Sequence, residues 1–344
     1  DTGRNHLFVG LTLLAQAGLL GVFMTKDALL FYIFWEVALI PVYFLSSLFG
    51  GARRIQVTFK FFVYTFTGSL LMLLGILMIY REAPLRSFSW DSFVSIGRSM
   101  PEYMQARIFW LMMIAFAIKM PLFPFHTWQP EAYNQSPTSV TMVLSGIMVK
   151  MGLFGAMRWL IPVFPAATAH FKHLVVVLAV IGIVYASCIA MMQDNLKKLV
   201  AYSSIAHIGL MCAAIFSLNQ VSVQGALMQM FNHGINIIGM WVVIDIIERR
   251  TGVKKISELS GLAHSAPLLT ILFIIIAFAN IALPLTNAFT GEFLMFSGVY
   301  NYNHWMSAFA GLGVILSAVY TLNMIQKVFY GSVNQLTTEV KDIT

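Results

Sequence analysis

Long apolar stretches separated by short polar segments make up most of this chain of 344 residues. A stretch of about 20 mostly apolar residues is long enough to cross the hydrocarbon core of a bilayer as a helix. Ten stretches meet that criterion, at roughly 6–24, 28–49, 58–80, 107–129, 138–161, 172–192, 198–218, 223–247, 266–300 and 304–330. The pattern therefore predicts an all-α polytopic membrane protein with about ten transmembrane helices.

Two of the ten predicted spans are unusual: the fourth contains Pro121 and Pro124 beside Lys119, and the ninth contains Pro284 just before Glu292. Proline removes a backbone N–H and breaks a helix, so we expect both spans to be discontinuous. Proline-interrupted spans at corresponding positions of two halves indicate inverted repeats, and an odd number of helices per half requires the inversion. The predicted boundaries are 1–161 and 162–331 for two inverted five-helix repeats, and 332–344 for a cytoplasmic tail or linker.

The loops on the N-terminal side of the predicted spans carry more Lys and Arg than the opposite loops. Basic residues gather in cytoplasmic loops, so we expect both ends of this segment to be cytoplasmic. The chain begins with Asp1 rather than Met and enters an apolar stretch almost at once, without the pattern of a signal peptide. These features predict a segment from the interior of a longer protein.

Composition supports a membrane protein: 59% of residues are hydrophobic and 10% are charged, whereas a soluble domain has about 25% charged residues. The net charge of +7 is then a property of the loops and does not predict nucleic-acid binding. Cys188 and Cys212 lie in apolar stretches without a CxxC pair, and the chain has no glycine-rich nucleotide motif. We therefore expect this chain to bind no redox cofactor and no metal, and to have the lipid bilayer as its surroundings.

Four ionisable residues lie deep inside apolar stretches, two acids and two lysines: Glu36, Lys119, Lys150 and Glu292. A charge at the bilayer centre costs about 3 kcal/mol on insertion scales, so such residues usually mark an ion or proton pathway. The alternative is a set of structural ion pairs that hold helices together. Four such residues at separate points of one chain favour a proton pathway.

Further polar side chains occur in the same apolar stretches. His126 follows the first proline pair, and His207 and His233 lie in the seventh and eighth spans. Ser203 and Ser204 share a helix face with His207 because they precede it by about one turn. Each histidine alone is more often a hydrogen-bonded packing residue, but its pKa near neutrality suits a proton relay when it lines water. We regard these residues as an auxiliary polar axis.

A relay through the bilayer needs groups whose proton affinity can change during the cycle. Making or breaking an acid–lysine pair changes how tightly the lysine holds its proton. Glu36 as the partner and Lys119 as the switched group fit this scheme. The expected breaks beside Lys119 and Glu292 add backbone dipoles and space for water.

Six ordered motifs carry a resemblance to a known family: FYIFWEVALIPVYFL, KMPLFPFHTWQPEAYNQSPT, VTMVLSGIMVKMGLFGAMR, DNLKKLVAYSSIAHIGLM, GALMQMFNHGI and ALPLTNAFTGEF. They resemble the antiporter-like subunits of respiratory complex I over nearly the whole chain. The resemblance implies a fold of fourteen transmembrane helices, of which this chain is similar to helices four to thirteen.

The resemblance also implies roles for the buried charges. Glu36 matches the glutamate of the fifth family helix, and Lys119 matches the lysine of the broken seventh helix. Lys150 matches the eighth-helix lysine that bridges two half-channels, and Glu292 matches the twelfth-helix group of the exit half-channel. His207 and His233 match polar residues of the central hydrated axis.

Within the family, Glu292 resembles the M-type subunits of bacterial NADH–quinone oxidoreductase, because L-type, N-type and Mrp D-type subunits typically carry lysine there. The chain departs from the family at Tyr133, where many relatives have His, and at Leu285, where many have Gly. Neither position carries the expected proton chemistry.

The expected function is proton translocation by a multi-pass subunit of complex I in the bacterial inner (cytoplasmic) membrane. Expected partners are L-like and N-like antiporter subunits, while NAD, FMN, iron–sulfur clusters and quinone belong to other subunits. The alternatives are a cation/proton antiporter of the Mrp type, a membrane-bound hydrogenase subunit with the same fold, or a membrane spacer that has lost pumping. Retention of all four buried charges argues against the spacer.

Overall fold

A computed structural model describes residues 2–83 and 86–343. Within these ranges the regular elements are helices, and the extended backbone forms two isolated bridges. The α-helices are α1 Thr2–Met24, α2 Ala28–Phe49, α3 Arg54–Glu82, α4 Trp90–Ser99, α5 Glu102–Lys119, α6 Gln129–Gln135, α7 Thr138–Leu160, α8 Pro165–Met191, α9 Leu196–Phe216, α10 Gln220–Thr251, α11 Leu262–Ser265, α12 Pro267–Asn280, α13 Asn287–Tyr302, α14 His304–Phe329 and α15 Gln335–Thr338. The prediction of an all-α architecture is confirmed.

Eight of these helices are long and apolar enough to cross a membrane: α1, α2, α3, α7, α8, α9, α10 and α14. The two remaining predicted spans are discontinuous, one formed by α5 and α6 and the other by α12 and α13. The chain is therefore a polytopic membrane protein whose helices follow the hydropathy pattern. Sequence reasoning missed α4, because this ten-residue helix is too short and too polar to be recognised as a span.

The chain divides into two compact units, Asp1–Val175 and Val176–Thr344. The boundary lies inside α8, whereas the sequence placed it at 161/162, at the end of α7. Along each unit, the discontinuous helix comes fourth among five spans. The inverted relationship of the two repeats remains a prediction from the odd number of spans.

The first break follows from proline chemistry. Pro121 has no N–H for the carbonyl of Ala117, one helical turn earlier, and the N–H of Leu122 bonds that carbonyl instead at 2.8 Å. The indole Nε1 of Trp128 donates to the carbonyl of Ile118 at 2.9 Å. The end of α5 is therefore closed by other groups of the chain, which fixes the position of Lys119 at its last turn.

The second break separates α12 from α13 around Pro284. Asn236 of α10 donates from Nδ2 to the carbonyl of Ala279 at 3.0 Å and exchanges two 3.1 Å hydrogen bonds with Asn287, the first residue of α13. One side chain thus links the end of α12 to the first residue of α13. Leu285 adopts φ +76°, a region that disfavours residues with a Cβ.

Glycines allow α10 and α13 to approach closely. A Cβ at Gly298 would lie 2.2 Å from Cβ of Ser222, and a Cβ at Gly225 would lie 2.7 Å from the backbone N of Met295. Small residues of this kind bring membrane helices into backbone contact. The close packing holds α13, and with it Glu292, against α10.

The predicted tail 332–344 contacts the second unit where the structure describes it. The carboxylate of Asp342 accepts from the N–H groups of Leu268 and Leu269 at 2.8 and 3.0 Å, at the beginning of α12. It supplies acceptors for two of the N–H groups that a helix start leaves unpaired.

Candidate functional site

The first unit brings Glu36 of α2 and Lys119 of α5 close enough to interact electrostatically. Lys119 is 1% exposed, and its Nζ lies 5.3 Å from the ring centroid of Trp35. Neither Lys119 Nζ nor Glu36 Oε1 has a hydrogen-bond partner in the described part of the chain. The two charges therefore interact across a gap rather than through a direct hydrogen bond, as a switchable pair requires.

Ser69 of α3 lies between two acceptors. Its hydroxyl donates to the carbonyl of Phe66 at 2.9 Å and lies close enough to the Glu36 carboxyl group to interact with it. A hydroxyl has one proton to donate and can also accept. A protonated Glu36 can donate to Ser69 while Ser69 donates to Phe66, whereas an ionised Glu36 requires the Ser69 proton for itself. The Ser69 hydroxyl can therefore turn with the protonation state of Glu36.

Lys150 lies in α7 directly after a π-helical turn, Leu144–Met148. In this turn the N–H of Val149 bonds the carbonyl of Leu144 at 3.1 Å, five residues earlier. The carbonyl of Ser145 can then accept from Lys150 Nζ, which it does at 2.6 Å. Single π turns are frequent at functional sites, and this one supplies a polar contact to a lysine that is 3% exposed.

Gly152 and Gly155 hold α7 against the end of α5. A Cβ at Gly152 would lie 2.7 Å from the carbonyl oxygen of Phe116 and 2.8 Å from the N of Met120, and one at Gly155 would lie 2.5 Å from the Phe116 ring. Any side chain at these positions would displace the segment that carries Lys119.

Gly152→Ala should therefore destabilise the protein by about 1–3 kcal/mol, a typical cost of overpacking. It should also lower any activity that depends on Lys119, because the end of α5 moves. Thermal unfolding in detergent and activity of the assembled protein measure the two effects. Gly10→Ala is the matched control, since nothing lies within 4 Å of its added Cβ; equal behaviour of the two variants would contradict the prediction.

His126 lies in the segment between α5 and α6, is 4% exposed, and stacks on Phe123 with ring centroids 5.7 Å apart. The structure thus places it at the first break, as its sequence position predicted. A role in proton transfer remains a prediction for this residue.

In the second unit, Glu292 lies in the second turn of α13 and is 6% exposed. Its carboxylate borders a cavity of about 20 Å³ that His207, Ser317 and Tyr320 also line. A cavity of this volume has room for one water molecule. Glu292 Oε2 is buried and has no hydrogen-bond partner within residues 2–83 and 86–343.

The other predicted polar residues of the second unit lie close by. The rings of His207 and His233 have centroids 5.5 Å apart. Ser203 and Ser204, one turn before His207, are 2% and 0% exposed. The structure therefore brings together the auxiliary polar residues that the sequence assigned to spans seven and eight.

Sequence reasoning missed Tyr320 of α14. Its hydroxyl donates to Ser203 Oγ at 2.9 Å, and Asn280 Nδ2, at the end of α12, approaches the same oxygen at 3.5 Å. Tyr320 is 1% exposed. A polar group in an apolar span was the available signal, but tyrosine is common in membrane helices and does not stand out as a buried charge does.

The geometry defines a class of membrane protein with discontinuous helices and buried ionisable groups next to the breaks. This chain belongs to the NADH:quinone oxidoreductase/Mrp antiporter transmembrane family, whose model matches residues 25–318. NADH-quinone oxidoreductase subunit M of Rickettsia prowazekii (strain Madrid E) is 39% identical over 96% of this chain and 66% of its own length. Subunit M of Rhodobacter capsulatus is 37% identical over 96% of this chain and 67% of its own length. The chain thus spans about two thirds of the length of these relatives.

Solved structures agree. A chain of respiratory complex I from Thermus thermophilus with bound NADH superimposes with a TM-score of 0.93 at 33% identity, covering 98% of this chain and 71% of that one. A chain of the archaeal membrane-bound sulfane sulfur reductase superimposes with a TM-score of 0.87 at 25% identity, covering 95% of this chain and 67% of that one. A chain of the Mrp complex from Dietzia sp. DQ12-45-1b superimposes with a TM-score of 0.87 at 22% identity, covering 94% of this chain and 61% of that one. This match supports the fold alone.

Proposed function

We propose that this chain is part of a proton-translocating membrane subunit of an NADH–quinone oxidoreductase. The observation that carries the proposal is the buried pair Glu36–Lys119 at the broken helix α5–α6. The likeness of this chain to subunit M proteins and to a chain of complex I supports the assignment.

In the proposed mechanism, the Glu36 carboxylate stabilises the Lys119 ammonium across the gap between them. A change in their separation, or protonation of Glu36, weakens that stabilisation and lets Lys119 release its proton. Ser69 adjusts its hydrogen bond as Glu36 changes state. Lys150 and Glu292 are the further proton-carrying groups of the chain, with His126, His207, His233, Ser203 and Ser204 as auxiliary members.

The chain itself performs no redox step in this proposal. NADH oxidation and quinone reduction take place in partner subunits that hold NAD, FMN, iron–sulfur clusters and quinone. L-like and N-like antiporter subunits are the proposed neighbours in the membrane. We place the protein in a bacterial inner membrane with both ends of the segment in the cytoplasm, since basic residues predominate on that side.

The second candidate is a cation/proton antiporter subunit, or a subunit of another respiratory membrane complex. The family to which the chain belongs includes Mrp antiporters, and the sulfane sulfur reductase chain shares the fold. The higher identity and TM-score of the complex I chain favour the first candidate.

The proposal is tested on the full-length protein purified in mild detergent from its own membrane. We expect mass spectrometry to identify flavin- and iron–sulfur-binding subunits in the same particle, and the particle in liposomes to couple NADH oxidation by quinone to proton transfer. A particle of Mrp-type subunits without NADH oxidation would favour the second candidate. A particle that oxidises NADH without transferring protons would refute the first.

A further inference from the structure

The ammonium group of Lys119 lies beside an aromatic ring as well as near a carboxylate. Trp35 and Glu36 are neighbours on α2, so their side chains leave the helix about 100° apart. Lys119 Nζ lies 5.3 Å from the centre of the Trp35 ring, within the distance of about 6 Å over which the face of an aromatic ring attracts a cation. The buried lysine therefore has two possible hosts on one helix, of which the mechanism above uses only the carboxylate.

Packing holds the Trp35 ring in this position. The ring is 1% exposed and packs against Phe31, one turn earlier on α2, and against Phe116 of α5, with ring centroids 5.5 and 5.8 Å apart. Phe116 precedes Lys119 by three residues on the same helix. Side chains in a close-packed interior stay in rotamer minima, so the indole is held next to the ammonium group by its other neighbours.

A buried ammonium group needs compensation for the water that it has lost. Lys119 is 1% exposed, and its Nζ has no hydrogen-bond partner in the part of the chain that the structure describes. Tryptophan has the aromatic face that attracts cations most strongly, and the attraction is greater when both groups are removed from water. The Trp35 ring therefore supplies stabilisation that hydrogen bonds to this ammonium group do not give.

The carboxylate and the ring differ in their chemistry. Glu36 can take up a proton, and it then loses the charge that attracts the lysine. An indole ring binds no proton near neutral pH, and its polar group, the N–H, is a donor only. The ring therefore attracts the ammonium group whatever the protonation state of Glu36, and it offers the ammonium group no proton acceptor.

We propose that Trp35 is a positioning residue that keeps Lys119 protonated while Glu36 is neutral or has moved away. The proposal rests on the proposed proton-translocating function and adds an intermediate state to it. In that state the ammonium group is stabilised by the ring face instead of the carboxylate, and it gives up its proton only when an acceptor reaches it. A weaker attraction by the ring raises the free energy of this state and slows proton transfer.

The test replaces Trp35 with tryptophans that carry one to four fluorine atoms on the ring, inserted at this position of the full-length protein by nonsense suppression. Fluorine withdraws electron density from the ring face with little change in shape, so the attraction for a cation falls while the packing is kept. We expect the rate of proton transfer by the assembled complex in liposomes to fall steadily along the series. The loss should reach about tenfold at four fluorine atoms, the size of a cation–ring contact removed from water.

The matched control is the same series at Trp159, which is also 1% exposed and packs on Phe31 with ring centroids 5.4 Å apart. No lysine or arginine lies over its ring in the described part of the chain, so its series should keep one rate. If the ring with four fluorine atoms prevents assembly at position 35, the variants with one to three fluorine atoms still measure the gradient.

A constant rate along the Trp35 series, or an equal gradient at Trp159, would show that the Trp35 ring only packs. If Lys119→Met is impaired at the same time, the inference is wrong and the proposed function stands. Full proton transfer in Lys119→Met would instead refute the proposed function of the pair.

Discussion

We expect Lys119→Met to lower the rate of proton translocation by the assembled complex at least about tenfold. Methionine has nearly the length of lysine but no charge and no proton to release. Removing one partner of a buried pair leaves the other charge uncompensated, but Glu36 can take up a proton and become neutral, so the variant should still assemble. Proton transfer into liposomes, normalised to the assembled complex, measures the effect.

Lys26→Met is the matched control, since Lys26 is an exposed lysine between α1 and α2. We expect the control to transfer protons at the unmodified rate. A Lys119→Met complex that assembles and transfers protons as well as Lys26→Met would show that the buried lysine has a structural role only. Glu36→Gln should reproduce the loss in weaker form, because it removes the charge that stabilises Lys119 while leaving the lysine in place.

Glu292→Gln is expected to lower proton transfer by a similar factor. The side chain is 6% exposed and borders a cavity with room for one water. Glutamine preserves the size and a hydrogen-bonding carbonyl oxygen but cannot bind or release a proton near neutral pH. The rate of proton transfer and the rate of quinone reduction should fall together if the steps are coupled.

Glu339→Gln provides the comparison for a glutamate of the same unit, because Glu339 is exposed in the tail. Glu292→Lys separates charge from the ability to carry a proton. Lysine can still exchange a proton, so its effect reports whether this position requires a carboxylate. If Glu292→Lys transfers protons at the wild-type rate while Glu292→Gln is impaired, this position requires a group that carries a proton but not a carboxylate.

The spans and their two breaks could be predicted because both depend on local chemistry. Apolar length determines whether a helix can cross a bilayer, and proline removes the same hydrogen bond in any surroundings. Glu36, Lys119, Lys150 and Glu292 were found for a similar reason, since a charge within an apolar stretch is conspicuous before any contact is known. That Glu36 and Lys119 lie close enough to interact was a hypothesis until the fold placed α2 beside α5.

The polar neighbours of Glu36 and Ser203 could not be predicted, because they come from distant parts of the chain. Ser69 lies one helix beyond Glu36, and Tyr320 reaches Ser203 from a position more than 100 residues later. An isolated serine or tyrosine is an ordinary residue of membrane helices and does not stand out as a buried charge does until the helices are packed. The division into compact units at Val175/Val176 gives no sequence signal for a related reason: it lies inside one continuous helix, where no turn marks it.

The π turn before Lys150 holds one residue more than an α-helical turn, which makes this part of α7 tolerant of a change in chain length. Ile147 is 43% exposed within that turn. Deleting it would convert the turn to ordinary α-helix and leave Lys150 pointing in its present direction. A deletion in an α-helical part of α7 would rotate every later residue by about 100°, the angle per residue of an α-helix. Removing the extra residue would therefore keep the direction of Lys150 but would remove the π turn that brings the Ser145 carbonyl to its ammonium group.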